Sequence, residues 1–369
     1  MKNNFDLNQA PLVVIWEVTR ACDLACFHCR ASAQPLRNPL ELSTAEGKRL
    51  IADIAQLNPP IFIFTGGDPL KRPDIYELVE YAASLDMHPA MTPSATPLLT
   101  RDSLLSLKQA GLKRLALSLD GPNAELHDSF RGVSGSFART LDAMSWANSI
   151  GLPVQINTTV SKRNISELEE IFSVVRKFRM VMWSLFFMVP TGRGQSADVA
   201  SAEEVEGAFV RIYRMAQQAP FKVKTTEAQH YRRYMLQQRK LNPNESPDQG
   251  VPGILPVNEG KGFMFISHTG EVQPSGFLPL VAGNVRNTSV TEIYRNAPLF
   301  RELRETKNLK GKCGDCEYHN ICGGSRARAY AMSGDAFAPD PSCAYLPKAA
   351  KAPDRDLTCT NDRDCPITK

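Results

Sequence analysis

The sequence predicts an α/β fold in which a partial (β/α)6 TIM-like barrel is followed by a small C-terminal domain. Two observations predict the barrel: six short apolar runs rich in Val, Ile, Leu, Phe or Thr, as buried parallel strands are, and segments of helical period between them. The predicted strands cover residues 12–18, 61–66, 89–93, 114–120, 154–160 and 182–189. Reactive groups should therefore gather at the C-terminal ends of these strands.

The helices carry their own signals. Ser43 and Glu46 resemble a capping box that opens a helix, and the segment 164–178 places a row of apolar residues on one face. After Pro190 the alternation of short apolar strands and helices ends. The pattern that follows predicts helices over 201–218, 226–241 and 290–305, a loop over 242–262, and a β-hairpin from 263–267 and 271–274. The predicted domains are a barrel (1–200), bridging helices and linker (201–257), a C-terminal auxiliary domain (258–346) and a polar tail (347–369).

Composition excludes several classes of function. The net charge of +4 over 369 residues is too weak and dispersed to predict a nucleic-acid or membrane-surface partner. No apolar run approaches the ~20 residues of a membrane span, and the first residues lack the apolar core of a secretory signal. We therefore expect a cytoplasmic protein, where clustered cysteines favour metal binding over disulfides.

The first cysteine group lies at the end of the first predicted strand. Cys22, Cys26 and Cys29 have the spacing C-x3-C-x2-C. Three thiolates on one loop can bind three irons of a [4Fe–4S] cube and leave the fourth iron open to a small molecule. A structural zinc site with His28 as its fourth ligand is the alternative, although His28 stands between two of the cysteines.

The segment Thr19-Arg20-Ala21-Cys22-Asp23-Leu24-Ala25-Cys26-Phe27-His28-Cys29 resembles the signature of the radical S-adenosylmethionine (SAM) superfamily. His28 occupies the place where that family usually has an aromatic residue. The resemblance covers about residues 10–345. It implies a [4Fe–4S] cluster on these cysteines that reductively cleaves SAM to a 5′-deoxyadenosyl radical, which abstracts hydrogen from an unactivated carbon.

Further motifs at the strand ends resemble the family's SAM contacts. Gly66-Gly67-Asp68-Pro69 resembles the motif that contacts the SAM amino group, with Asp68 in place of Glu. Ser118 and Asp120 resemble the pair near the ribose and methionine, and the guanidinium of Arg131 suits the SAM carboxylate. The remaining candidates are Ser94, Asn157 and the turn 189–194, which would cover the adenine.

A second cysteine group, Cys313, Cys316, Cys322 and Cys343, can saturate one further [4Fe–4S] cluster. Structural zinc is again the alternative. The module resembles the SPASM or shorter twitch auxiliary domain, but Ser275 stands where a full SPASM domain usually has a cysteine, so we expect one auxiliary cluster. Cys359 and Cys365 are expected to lie in a solvated tail.

The segment Trp16-Glu17-Val18-Thr19-Arg20 and the C-x2-C-x5-C-x20-C spacing of the second cysteine group most resemble those of the radical SAM enzymes of haem biosynthesis. The resemblance implies an enzyme that decarboxylates or remodels propionate side chains of iron tetrapyrroles. The auxiliary cluster would then accept the electron left on the product radical, and a ferredoxin or flavodoxin would supply the low-potential electron. Arg193, Arg326 and Arg328 are candidates to clamp propionates, against the alternative of a solvated face. His268 could ligate haem iron, or it could simply be a hairpin-turn histidine.

Two other functions stay open. A modifier of ribosomally made peptides would make thioethers, carbon–carbon crosslinks or epimers, but only about ten residues precede the first predicted strand, which leaves no room for the usual leader-binding domain. An iron–sulfur electron carrier would need no SAM-contact motifs. The catalytic acid or base cannot be chosen from the sequence.

Overall fold

The computed structural model describes residues 5–241 and 255–348. Its strands form one ten-stranded sheet in the order β10-β9-β8-β1-β2-β3-β4-β5-β6-β7. Strands β1 to β7 and the pair β1–β8 are parallel, which confirms the predicted parallel α/β barrel core. The strands are Val13–Glu17 (β1), Ile61–Thr65 (β2), Pro89–Met91 (β3), Arg114–Ser118 (β4), Val154–Val160 (β5), Met182–Phe187 (β6), Lys222–Thr226 (β7), Phe263–Ile266 (β8), Glu271–Gln273 (β9) and Gly283–Asn284 (β10).

Helices fill the connections between the strands. They are Thr44–Gln56 (α1), Ile75–Ser84 (α2), Arg101–Gln109 (α3), Ala124–Arg131 (α4), Ser136–Ser149 (α5), Leu168–Val175 (α6), Ala202–Gln218 (α7), Tyr231–Leu241 (α8), Val290–Asn296 (α9), Pro298–Arg304 (α10), Gly311–Gly314 (α11) and Arg326–Ser333 (α12). The capping box predicted at Ser43 is present, with both reciprocal bonds to Glu46. Within the described residues, no helix is both long and apolar enough to cross a bilayer.

The parallel sheet has a seventh strand that the sequence did not predict. The expected helix over 226–241 is wrong at its start, because β7 occupies Lys222–Thr226 and α8 begins only at Tyr231. Strand β7 reads Lys-Val-Lys-Thr-Thr, a polar edge strand without the apolar character of its neighbours. Glu227, at φ 56°, then turns the chain into α8.

Two predicted helices are divided. The segment 290–305 contains α9 and α10, because Pro298 has no N–H to continue the first helix and is suited to open the second. The segment 164–178 begins with the 3-10 turn Ile165–Glu167, and α6 follows.

The predicted β-hairpin joins the barrel sheet directly. Strand β8 pairs with β1 in parallel register from Val13 opposite Phe263 to Trp16 opposite Ile266, and β9 returns antiparallel. The C-terminal hairpin therefore lies beside the strand that leads into the first cysteine group. The domain limits at 200, 257 and 346 stay predictions, since the sheet itself is continuous.

Alternation along the strands separates the core from the barrel interior. In β5, Val154, Ile156, Thr158 and Val160 are buried, whereas Gln155, Asn157 and Thr159 on the other side are only half-buried. The buried side joins a large apolar core whose biggest members include Trp16, Phe62, Phe64, Trp183 and Phe209. This core fixes the strands whose ends carry the predicted site.

Candidate functional site

The first cysteine group forms a loop directly after β1. Cys22 and Cys26 are buried and Cys29 is half-buried, and they share a small apolar cluster with Leu24. The Cys22 sulfur lies 3.4 Å from Ser94 Oγ and accepts the Leu24 N–H at 3.3 Å. The loop therefore holds all three thiols at the C-terminal end of the barrel strands, beside the end of β3.

The glycine turn after β2 packs tightly on this cysteine loop. Gly67 N–H donates to Thr19 O at 2.8 Å, and Asp68 N–H donates to Ala21 O at 2.7 Å. A Cβ added at Gly67 would stand 2.5 Å from Ala21 O. The turn needs glycine for this close approach of two backbones.

Replacing Gly67 by alanine should loosen the cysteine loop, because the new methyl group meets backbone atoms that have no flexible side chain to move aside. We expect the purified variant to retain clearly less iron than the wild type after identical anaerobic reconstitution. Gly207→Ala in α7 is the matched control, since its Cβ would meet nothing within 4 Å. Equal iron retention in both variants would contradict this reading of the turn.

The Asp68 carboxylate accepts hydrogen bonds from groups of the protein itself. It is fully buried and accepts Thr96 Oγ1–H at 2.7 Å and Leu70 N–H at 3.2 Å. It also accepts the Ser94 N–H at 3.4 Å. The side chain thus ties the glycine turn to the loop after β3, and Gly66 and Gly67 face the cavity in its place.

Asp120 and Arg131 form a buried ion pair next to the thiols. Arg131 Nη1 lies 3.8 Å from Cys26 Sγ, and Asp120 Oδ1 accepts the Thr159 N–H at 2.7 Å. The Asp120 N–H donates to His127 Nδ1 at 3.0 Å, so that nitrogen must be unprotonated, and burial lowers the His127 pKa to about 4. The pair anchors Arg131 over the cysteine loop.

One cavity brings together most of the predicted cofactor contacts. Its lining includes the three cysteines and five of the nine predicted cofactor residues: Gly66, Gly67, Ser94, Ser118 and Arg131. Asp68, Pro69, Asp120 and Asn157 do not line it. Asn157 instead accepts the Gln155 side-chain amide at 2.7 Å.

Polar atoms without partners surround the same cavity. His28 Nδ1, Arg131 Nε and Arg193 Nη2 are buried and make no hydrogen bond to any residue that the structure describes. Burial and nearby arginines lower the His28 pKa well below its usual value, so the ring is neutral. Such orphaned groups cost free energy and are typical of a site built for a polar ligand.

The turn after β6 also packs on the cysteine loop. Arg193 N–H donates to Cys29 O at 3.0 Å, and its Nε–H donates to Cys26 O at 2.9 Å. Gly192, at φ 61°, lies so close that a Cβ would stand 2.3 Å from Cys29 O. The turn therefore clamps the loop, and Val189 at its start reaches the cavity.

The thiols fit an iron–sulfur cluster. Burial raises the pKa of Cys22 and Cys26, although Arg131 opposes the shift at Cys26, so binding of a cation is needed to favour the thiolates. In the described part of the chain, no three His, Cys, Asp or Glu side chains stand close enough to enclose a single metal ion. Three thiolates on one loop suit three irons of a [4Fe–4S] cube and leave the fourth iron open to a small molecule.

The fold also brings the cysteines of the second group close to one another. Burial raises the pKa of Cys322 to about 12 and of Cys343 to about 11, and the neighbouring thiols Cys313 and Cys343 add to the shift at Cys322. Cys313 Sγ accepts the Asp340 N–H at 3.4 Å, and Cys322 Sγ accepts the Gly324 N–H at 3.4 Å. Four buried or half-buried thiols with N–H donors suit a fully ligated cluster. Cys359 and Cys365 lie outside the described residues.

The prediction that Arg326 and Arg328 bind the propionates is wrong. Arg326 and Arg328 are 2% and 1% exposed, and neither lines the cavity. Arg326 donates to the carbonyls of Ala336 and Ala338, and Arg328 pairs with Asp340 at 2.8 Å. Their sequence context predicted a charged surface, but both guanidinium groups stabilise the loop that surrounds the second cysteine group.

His268 lies in the turn between β8 and β9, which confirms the hairpin-turn alternative, and it does not line the cavity, so the haem-ligand alternative is wrong. It is 4% exposed, and its Nδ1 lies 3.0 Å from Glu17 Oε1 while its Nε2 lies 3.3 Å from Asn38 Nδ2. Glu17 closes β1 and also pairs with Arg30. No sequence motif indicated a role for Glu17 or Arg30, although the position of Arg30 directly after Cys29 was a signal that could have identified it.

A family model described as the Radical SAM superfamily matches residues 16–175, and one described as an iron-sulfur cluster-binding domain matches residues 258–317. The curated "AdoMet-dependent heme synthase" of Oleidesulfovibrio alaskensis is 42% identical over 95% of this chain and 91% of its own. The chain belongs to the radical SAM superfamily. Proteins of the same name from Nitratidesulfovibrio vulgaris and Methanosarcina barkeri are 44% and 40% identical, over 91% and 92% of this chain and 93% and 98% of theirs.

Solved structures agree on the fold. This radical SAM chain resembles Streptococcus suis SuiB bound to S-adenosylmethionine with a TM-score of 0.71 at 18% identity, over 91% of this chain and 78% of that one. It resembles native anSMEcpe with bound AdoMet with a TM-score of 0.67 at 15% identity, over 90% and 94%. As a radical SAM enzyme with a SPASM domain, the protein uses a [4Fe–4S] cluster, SAM and an auxiliary iron–sulfur cluster.

Proposed function

We propose that this radical SAM enzyme oxidatively decarboxylates propionate side chains of an iron tetrapyrrole to vinyl groups. The observation that carries the proposal is its likeness, at 40–44% identity over more than nine-tenths of each chain, to relatives named AdoMet-dependent heme synthase. The cavity supports it, because the described residues that line it include Arg30, Arg131 and Arg193 and no Asp or Glu. A polycarboxylate substrate suits such a site.

The chemistry balances with two clusters. When bound, SAM on the cluster of Cys22, Cys26 and Cys29 supplies the hydrogen-abstracting radical, and the auxiliary cluster on the second cysteine group supplies an electron acceptor. The propionate loses a hydrogen atom from the carbon next to the ring, and then CO2 and one electron, which leaves the vinyl group. No protein acid or base is needed for this balance, which agrees with a cavity that no carboxylate of residues 5–241 or 255–348 lines.

In this proposal the chain's residues bind, orient and shield. The backbones of Gly66 and Gly67, the hydroxyls of Ser94 and Ser118, and the guanidinium of Arg131 bind SAM. Asp68 and Asp120 are positioning residues, since each holds a cavity-lining element and neither reaches the cavity. On the far side, Phe186 and Phe277 lie 6.5 Å apart and present apolar surface that excludes water around the substrate.

The test is conversion of iron coproporphyrin III under anaerobic conditions with SAM and dithionite. Mass spectrometry should show two successive losses from the tetrapyrrole, each of CO2 and two hydrogens, together with 5′-deoxyadenosine. A tetrapyrrole of unchanged mass, despite full loading of both clusters and detectable SAM binding, would overturn the proposal. In cells, we propose that a ferredoxin or flavodoxin of the cytoplasm replaces dithionite.

Peptide modification is the second candidate function. The "PqqA peptide cyclase" of Rhodopseudomonas palustris is 29% identical over 91% of this chain and 88% of its own. Its lower identity than that of the heme synthases favours the tetrapyrrole. If 5′-deoxyadenosine forms only with a candidate precursor peptide and never with iron coproporphyrin III, peptide modification becomes the preferred function.

A further inference from the structure

We propose that Arg30 binds a carboxylate of the substrate at the face of the cavity formed by the barrel and the C-terminal hairpin. The inference rests on the proposed function and deepens it, because it assigns a substrate contact to this residue. It replaces the role that the sequence suggested for Arg326 and Arg328, which are buried away from the cavity.

The Arg30 side chain is held in a preformed slot. Its guanidinium lies over the Phe265 ring at 4.5 Å from the centroid, and Nη2–H donates to Glu17 Oε2 at 2.6 Å. Gly276 forms the facing wall, since a Cβ there would stand 3.1 Å from both Cδ and Nε of Arg30. Phe265 and Gly276 belong to the C-terminal part of the chain, so Arg30 lies where that part meets the cysteine loop.

The local charge leaves Arg30 able to bind an anion. Burial by itself would raise the pKa of Glu17, but its neighbours, Arg30 first among them, outweigh burial and lower that pKa to about 2. Glu17 is therefore ionised, and two guanidinium cations share it: Arg30 at 2.6 Å and Arg20 at 3.1 Å. The group keeps at least one net positive charge.

Among the described residues, the other two arginines of the cavity are held by the cysteine loop and Asp120, although Arg131 Nε and Arg193 Nη2 stay unpaired. Arg131 pairs with Asp120 and approaches Cys26 Sγ, where SAM is proposed to bind. Arg193 donates to the carbonyls of Cys26 and Ala33, at 2.9 and 3.4 Å. Arg30, in contrast, is held by the side chains of Glu17 in β1 and Phe265 in the hairpin. Its side chain is 17% exposed, so part of it stays accessible.

His268 and Glu17 act as positioning residues in this arrangement. His268 Nδ1 lies 3.0 Å from Glu17 Oε1, the oxygen opposite to the one that accepts Arg30. The hairpin histidine therefore orients the carboxylate that orients Arg30. A planar guanidinium presents two parallel N–H groups to a carboxylate, which a lysine ammonium cannot reproduce.

The experiment compares binding of two probes to the reconstituted holoenzyme with SAM, followed by the tetrapyrrole absorbance. One probe is iron coproporphyrin III, and the other is its tetramethyl ester, which has the same ring without carboxylate charges. The wild type should prefer the free acid. Arg30→Gln should weaken binding of the acid by about tenfold or more and leave binding of the ester within about threefold, as expected for the loss of a charged hydrogen bond. Arg30→Lys should fall between.

Arg20→Gln is the matched control, because Arg20 pairs with the same Glu17 but does not line the cavity and is 42% exposed. It should change binding of the acid by no more than about threefold. If Arg30→Gln keeps the wild-type preference for acid over ester, or if Arg20→Gln loses it equally, Arg30 is not a direct contact and the inference is overturned. A wild type that binds neither probe would overturn the proposed function as well.

Discussion

Replacing Cys22, Cys26 and Cys29 together by alanine is expected to leave the protein with its auxiliary cluster and without the cluster that binds SAM. The three thiols share one apolar cluster beside the cavity, and no other cysteine in the described part of the chain lines that cavity. Iron and sulfide content should therefore fall to about half, because one of two [4Fe–4S] clusters is lost. The electron paramagnetic resonance spectrum of the reduced protein should no longer change on addition of SAM.

The matched control is Cys313→Ala with Cys316→Ala, which removes two thiols of the second group. This variant should also lose about half of its iron but keep the SAM-dependent change of the spectrum. A reversed result, with SAM sensitivity following Cys313 and Cys316, would contradict the assignment of the two groups.

Replacing Asp340 by alanine is expected to destabilise the protein by about 3–5 kcal/mol, because it leaves the buried Arg328 cation without its partner. Asp340 is fully buried, bonds Arg328 at 2.9 and 2.8 Å and accepts the Ser325 N–H at 2.9 Å. Arg328, more than any other neighbour, offsets the effect of burial and holds the pKa of Asp340 far below its usual value. The midpoint of anaerobic urea unfolding measures the effect.

Glu77→Ala is the control for that measurement. Glu77 pairs with Lys48 at 2.6 Å, but the two side chains are 52% and 36% exposed. Water and salt screen such an exposed pair, so its loss should change the free energy of unfolding little. If Asp340→Ala unfolds at the same urea concentration as Glu77→Ala, the buried pair does not brace the C-terminal domain and this part of the account fails.

The sequence predicted the barrel strands well because each is a short run rich in apolar, β-branched or aromatic residues, at least on the side that faces the core. Strand β7 escaped prediction for the opposite reason: it is a polar edge strand, and only its pairing with β6 from Lys222 opposite Met182 identifies it. Helix limits failed where a single backbone property decided them, as at Pro298 between α9 and α10.

The sequence likewise predicted only part of the candidate site. Spacing alone grouped the cysteines, and strand ends placed Ser94 and Ser118 in the cavity. Sequence could not show whether a charged side chain faces a ligand or the protein's own interior. Asp68 and Asp120 bind neighbouring backbone and side chains, and only contacts distant along the chain reveal this.

The roles of the arginines could not be predicted from the sequence for the same reason. Arg328 finds Asp340 through the folding of the loop around the second cysteine group, and Arg30 finds Glu17 across the cysteine loop. Neither pair has a sequence spacing that predicts it. The roles of these arginines therefore depended on the three-dimensional structure.

We propose that the cysteine loop and the surrounding cavity generate radical chemistry from SAM. The most direct measurement is 5′-deoxyadenosine by mass spectrometry after anaerobic reconstitution, reduction with dithionite, and addition of SAM and iron coproporphyrin III. We expect the wild type to form it and the Cys22→Ala/Cys26→Ala/Cys29→Ala variant to form none. Absence of both 5′-deoxyadenosine and SAM binding in a wild-type protein with fully loaded clusters would contradict the account.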